Sequence, residues 1–241
     1  MSYSKACCTI PPVASSYEAK GTIEHYGDLP VYTVGAKDAK KAIVVIYDIF
    51  GFHSNTKQFC DILANHGGYK VVLPDFFRGD GWDFSRGGMP EIKAWLDDIG
   101  TFAVIFPQLE RVREALQAQG VTTAGIAGFC WGAKIAVQAT GAGTFYNAGA
   151  LIHPSLLDVE DAKNAKAPIL ALPTKDEPDM TEYMNILYAK EFGSKCKHVR
   201  FDDMAHGFCG GRADWESELN KKRVTEAIQL TADFFAENLS A

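Results

Sequence analysis

The chain has 241 residues, 47% hydrophobic and 22% charged, which is ordinary material for the core of one domain. Acidic residues number 30 and basic ones 24, a net charge of −6 with no basic run, so nothing here forms an electrostatic footprint for nucleic acid. No apolar stretch approaches the ~18 residues that a membrane span needs, and Met1 to Cys8 lack the apolar segment of a secretory signal.

Residues 1–20 read as an irregular lead-in, because Pro11 and Pro12 bias the chain away from helix. The vicinal Cys7 and Cys8 have no His or further Cys nearby, which makes a poor metal site. Gly21 to Val34 alternates loosely and predicts a hairpin around Gly27-Asp28. Lys41 to Tyr47 is a continuous apolar run, as expected of a strand buried on both faces. Ser54 or Asn55 is the expected cap of a helix that turns Phe59, Ile62 and Leu63 inward and closes at Gly67-Gly68. Tyr69 to Leu73 is the next strand. The aromatic, glycine-rich stretch from Asp75 to Gly88 reads as a substrate-side loop.

Pro90 opens a short helix. A longer one covers about Phe102 to Gln119, with Val104, Leu109, Val112 and Leu116 as its inner stripe. Further strands are expected near 121–129, 148–152, 168–172 and 197–201, with helices over Met180–Phe192 and Trp215–Leu239. The last helix should turn Leu219, Val224, Ile228, Phe234 and Phe235 inward. Strands alternating with helices predict an α/β protein, a mostly parallel central sheet with helices on both faces, in a single domain over 1–241. Ligands of such sheets lie beyond the carboxyl ends of the strands.

Chemistry-bearing residues fall at those ends. Gly128-Phe129-Cys130-Trp131-Gly132 has the Gly-x-Ser-x-Gly pattern of a nucleophile elbow, with cysteine in the serine position. The flanking glycines allow a tight strand-to-helix turn, and the helix N-terminus favours negative charge. After the strand at 168–172 comes Asp176, with Asp179 as an alternative. After the strand at 197–201 comes Ala205-His206-Gly207-Phe208, with Asp202 and Asp203 as solvated charges. The chain order is nucleophile, acid, histidine. His206 is the expected base, Asp176 the carboxylate on its other ring nitrogen, and the N–H groups of Ile49 and Trp131 the oxyanion donors. His25, His53, His66, His153 and His198 read as surface, loop or packing residues. The six cysteines, without a C-x-x-C pair or an export signal, read as reduced thiols in a cytoplasmic protein.

With these residues in hand, the chain resembles the dienelactone hydrolase family of α/β-hydrolases over nearly its full length. The resemblance rests on the 128–132 elbow, Asp48-Ile49-Phe50-Gly51-Phe52, Pro74-Asp75-Phe76-Phe77, Asp176 and Ala205-His206-Gly207-Phe208. The opening Cys7-Cys8-Thr9-Ile10-Pro11-Pro12 is similar to that of the fungal and other eukaryotic branch. The resemblance implies hydrolysis of an enol-lactone, carboxymethylenebutenolide, by Cys130, His206 and Asp176 through a thioacyl-enzyme, without a cofactor. Bacterial members carry a glutamate where Asp48 stands, which helps activate the cysteine, and hold the substrate carboxylate with two arginines. Arg78 or Arg86, and Arg212, are the corresponding candidates here, and Phe208 is a candidate pocket residue. The expected partner is a small ester or lactone, carboxylated or not, with no membrane or nucleic acid, and as monomer or dimer. Thioesters or drug-like esters, and a redox-sensing or binding role for Cys130, are the alternatives.

Overall fold

The computed structural model describes residues 10–239, so Cys7 and Cys8 lie outside the described residues. Among the described residues eight strands form one sheet: β1 (Thr22–Tyr26), β2 (Leu29–Gly35), β3 (Lys41–Ile46), β4 (Lys70–Pro74), β5 (Thr123–Phe129), β6 (Tyr146–Ile152), β7 (Ile169–Leu172) and β8 (Lys197–His198). Their spatial order is β1-β2-β4-β3-β5-β6-β7-β8. The hairpin β1–β2 is antiparallel and β2 pairs antiparallel with β4, while every pair from β4–β3 to β7–β8 is parallel. The expected strand over 197–201 is shorter than predicted; its end survives as an isolated bridge between Phe201 and Thr174.

The helices are α1 (Ser54–Gly67), α2 (Met89–Ile99), α3 (Phe102–Ala118), α4 (Trp131–Gly141), α5 (Val159–Asn164), α6 (Thr181–Tyr188) and α7 (Glu218–Asn238). They cover both faces of the sheet, and β5 shows how. A Cβ at Gly125 would lie 2.5 Å from the Phe235 ring of α7, while one at Gly128 would lie 2.1 Å from the Gly132 carbonyl of α4. Three residues apart on a period of two, these glycines face opposite sides, and each lets a helix approach.

Three local expectations are corrected, and one helix is added. The cap of α1 is His53, whose side chain accepts from the Asn55 N–H, while Gly68 ends the helix at φ 63°. In α3 Ile105 replaces Val104 in the buried stripe, and Val104 is exposed. Leu219 in the first turn of α7 is also exposed, because at about 3.6 residues per turn it falls on the side of the helix opposite Ile228. The short α5 was not anticipated; Asp158 caps it in a box with Asp161. Among the described residues no helix is long and apolar enough to cross a membrane.

Candidate active site

Cys130 stands between β5 and α4 at φ 53° and ψ −115°, a backbone conformation that costs roughly 1–3 kcal/mol for a non-glycine residue. The flanking glycines make the turn possible: a Cβ at Gly132 would sit 2.5 Å from the carbonyls of Ile46 and Tyr47. Sheet bonding continues through the turn, because the Cys130 N–H donates to the Ile152 carbonyl (3.1 Å) and its own carbonyl accepts from the Ser155 N–H (3.0 Å). The Cys130 thiol lies 3.7 Å from Ser155 Oγ and donates to it. Trp131 is the first residue of α4, so its N–H has no intrahelical acceptor. Its indole N–H is tied to the Gly100 carbonyl at 2.8 Å. Ile49 is buried in the loop after β3, and its carbonyl accepts from the Trp82 N–H at 2.7 Å.

His206 is buried, and its Nδ1 lies 2.6 Å from Oε1 of Glu177. Burial alone would disfavour the charged ring. The charge of the nearby Cys130 sulfur and the charge and hydrogen bond of the Glu177 carboxylate outweigh that, and the His206 pKa is pushed up to about 10; Nε2 itself has no hydrogen-bond partner among the described residues. Here the structure differs from the expectation for the acid. Asp176 accepts the backbone N–H of His206 at 2.8 Å, and it is the next residue, Glu177, that reaches the ring. The loop carrying both is tightly held. Glu177 Oε2 accepts from the Thr174 N–H, the Asp176 N–H donates to Thr174 Oγ1 (3.2 Å), and Arg200 donates to the carbonyls of Thr174, Glu177 (3.1 Å) and Pro178 (2.7 Å). Asp179 is elsewhere, accepting from the backbone and hydroxyl of Thr181 at the start of α6. Asp203 pairs with Arg223 at the surface.

Asp48 is buried, but its oxygens are taken up by backbone: Oδ1 accepts from the Phe50 N–H (3.0 Å) and Oδ2 from the Gly211 N–H (2.8 Å). Of the arginines, only Arg212 lies beside His206. It is 8% exposed, its Nε donates to the Ile10 carbonyl at 2.7 Å, one terminal nitrogen lies 3.5 Å from the His206 carbonyl, and its guanidinium stacks 5.1 Å from the Phe50 ring. Arg78 is paired with Asp28 at 3.0 Å, and Arg86 with Asp80 at 2.9 Å, its guanidinium lying 4.8 Å over the Trp82 ring. Neither makes a described contact with Cys130 or His206. Phe208 is buried against Phe201 and faces His153.

His153, read from sequence as a packing residue, sits inside this group. It follows β6 at φ 36°, is fully buried, and its ring centroid is 4.9 Å from that of His206. Neither ring nitrogen has a hydrogen-bond partner among the described residues. Burial, then the charges of His206 and Arg212, hold its pKa well below the ordinary value, so the ring is neutral. Ser155, Glu177, Arg200 and His153 were all missed from sequence. The strand-end rule that selected His206 also selects the His153-Pro154-Ser155 loop after β6. The described cysteines (Cys60, Cys130, Cys196 and Cys209) are buried thiols, and no group of three or more His, Cys, Asp or Glu among the described residues has the geometry to hold a metal.

Comparison with known proteins bears on this geometry. An AIM2 family protein of Schizosaccharomyces pombe is 32% identical, over 95% of this chain and 98% of its own length. The mouse carboxymethylenebutenolidase homologue is 30% identical, over 79% of each chain. The crystal structure of a dienelactone hydrolase from Anabaena variabilis superposes with a TM-score of 0.66, covering 92% of this chain and 99% of that one at 14% identity, a likeness of fold. The profile described as the dienelactone hydrolase family matches residues 29–239, and the chain belongs to that family.

Proposed function

We propose that the protein is a hydrolase of small activated esters or enol-lactones, with Cys130 as nucleophile, His206 as its general base and acid, and Glu177 as the carboxylate that orients the ring. The observation that carries this reading is the buried 2.6 Å contact of His206 Nδ1 with Glu177 Oε1, which orients the ring and leaves its Nε2 without a partner among the described residues, while the nearby Cys130 sulfur and the Glu177 carboxylate push the ring's pKa up to about 10. A thiol beside such an imidazolium is favoured as thiolate. The Cys130 sulfur attacks the ester carbonyl, and the oxyanion is received by the N–H groups of Ile49 and Trp131. Collapse breaks the carbon–oxygen bond, and His206 returns its proton to the departing oxygen. Water then attacks the thioester with His206 taking its proton, releasing the acid and the thiol.

Thiolate is a better leaving group than a simple alkoxide, so the tetrahedral intermediate of an alkyl ester reverts. An enolate or aryl oxide leaves readily, and esters with such leaving groups are the expected substrates. Asp48, saturated by backbone amides, is read as a clamp for the 207–213 loop rather than as an activator of the cysteine. Arg212 is the arginine available to a substrate carboxylate, which would replace the Ile10 carbonyl on its guanidinium. The cytoplasm is the compartment that suits a reduced nucleophilic thiol.

Rapid-mixing hydrolysis of a carboxylated dienelactone and a neutral aryl ester tests the reading. Wild type should release product with a burst and form a protein species heavier by the acyl group, and Cys130→Ala should do neither. Undiminished hydrolysis by Cys130→Ala sinks the mechanism.

A further inference from the structure

Burial works against the chemistry assigned to Cys130. The residue is 2% exposed, and a thiolate taken out of water is disfavoured. Cys209 shows the effect: it is fully buried, and burial alone pushes its thiol well up. Holding Cys130 as thiolate therefore calls for polar groups aimed at its sulfur. His206 supplies charge, while its Nε2 has no hydrogen-bond partner among the described residues. Ser155 supplies a hydrogen bond. Its Oγ lies 3.7 Å from the Cys130 sulfur, and that hydroxyl makes no other hydrogen bond among the described residues.

The loop after β6 fixes the hydroxyl there. The Ser155 N–H donates to the Cys130 carbonyl at 3.0 Å, and the His153 N–H donates to the Leu172 carbonyl of β7 at 2.9 Å. Ser155 is 4% exposed and stands between two left-handed non-glycine residues, His153 at φ 36° and Leu156 at φ 65°. Such conformations persist where the surroundings enforce them, often at functional sites. Here they bring one hydroxyl against one sulfur.

We propose that Ser155 is a further catalytic residue, whose hydroxyl donates to the Cys130 sulfur whenever that sulfur is anionic. While the sulfur keeps its proton, it is only a weak donor to Oγ. Once the proton is on His206, the hydroxyl turns and donates to a charged acceptor, which is the stronger bond. The difference favours the thiolate. The same bond serves deacylation. Water adds to the thioester and gives a proton to His206, the carbon–sulfur bond breaks with its electron pair going to sulfur, and Ser155 donates to the thiolate so formed. The titratable groups gathered at this centre are His206 backed by Glu177, the neutral His153, the Asp48 carboxylate and the Arg212 guanidinium, and replacing Ser155 removes none of them. The role in turnover rests on Cys130 being the nucleophile.

The test reads the sulfur itself, through iodoacetamide labelling of Cys130 followed by mass on its peptide across a pH series. In Ser155→Ala the midpoint of the rate profile should move up by about one unit, so that labelling below the wild-type midpoint slows about tenfold. At alkaline pH the rate should match or slightly exceed wild type, because a thiolate without its donor is the stronger nucleophile. Ser155→Thr keeps the hydroxyl and should keep the midpoint. The kcat/KM for phenyl acetate in Ser155→Ala should fall by the same factor at low pH and recover at high pH. An unmoved or lowered midpoint in Ser155→Ala, an equal shift in both variants, or a loss of activity equal at every pH overturns the proposal. In wild type the Ser155 Cβ NMR resonance should titrate with the labelling midpoint and stay flat in Cys130→Ala; no titration in wild type overturns the proposal whether or not a Ser155 variant folds. Labelling does not depend on turnover, so undiminished hydrolysis by Cys130→Ala would remove the nucleophile while leaving the hydrogen bond to be read.

Discussion

Two loops at the carboxyl end of the sheet each carry a buried carboxylate, and they use it differently. After β3, Asp48 gives one oxygen to the Phe50 N–H and the other to the Gly211 N–H. After β7, Glu177 gives one oxygen to the Thr174 N–H and the other to the ring of His206. Both are nearly inaccessible, at 2% and 5% exposure. A carboxylate whose partners are all fixed amides is satisfied in place and acts as a staple, here joining the 48–51 loop to the 207–213 loop. One whose second oxygen meets a titratable ring passes its charge on to whatever that ring touches. The second loop is correspondingly braced from outside, by Arg200 donating to three of its carbonyls. Position at a strand end therefore does not by itself assign a role; the partners do.

The sharpest way to break this comparison is to neutralise each acid in turn. Glu177→Gln should lower kcat about 10³-fold or more, the scale seen when a histidine loses its orienting carboxylate. Asp176→Asn should cost less than about tenfold, because it removes only a bond to the His206 backbone. The reverse order in steady-state kinetics would return the ring to Asp176. Asp48→Ala leaves two buried amides without their charged acceptor and should destabilise the fold by about 2 kcal/mol in chemical denaturation. A large fall in kcat with unchanged stability would instead make Asp48 an activator.

The histidines sharpen it further through pH. The His206 pKa of about 10 is above the ordinary ~6.5, so its charge contributes fully to stability below ~6.5 and that contribution fades as pH rises toward 10. In His206→Gln, iodoacetamide labelling of Cys130 near pH 6.5 should slow about tenfold and recover only as pH approaches the ordinary thiol range, ~8.5. His153 shifts the other way. Below ~6.5 the unfolded chain takes up a proton that the folded ring refuses, so stability falls as pH drops. The smallest expected effect is that His153→Phe flattens this acid-side slope.

Much of this was legible in the chain itself. Local chemistry accounts for the β1–β2 hairpin at Gly27-Asp28, the Gly68 helix stop and the 128–132 elbow, whose Gly128 answers to the Gly132 carbonyl within its own turn. The order of Cys130, acid and His206 at the ends of β5, β7 and β8 was legible too, since a parallel sheet brings all carboxyl ends together. What only the tertiary structure decided lies between segments remote in sequence. Asp176 and Glu177 are equivalent as letters; which one reaches the His206 ring depends on one methylene and on a loop pinned by Arg200. Arg78, Arg86 and Arg212 are alike in pattern, yet only Arg212 packs beside His206, while the others meet Asp28 and Asp80. His153 looks like any strand-end residue until burial strips it of water and of partners. Periodicity and turn chemistry act over a few residues and can be read directly, whereas charge pairing and desolvation depend on neighbours that only the folded chain supplies.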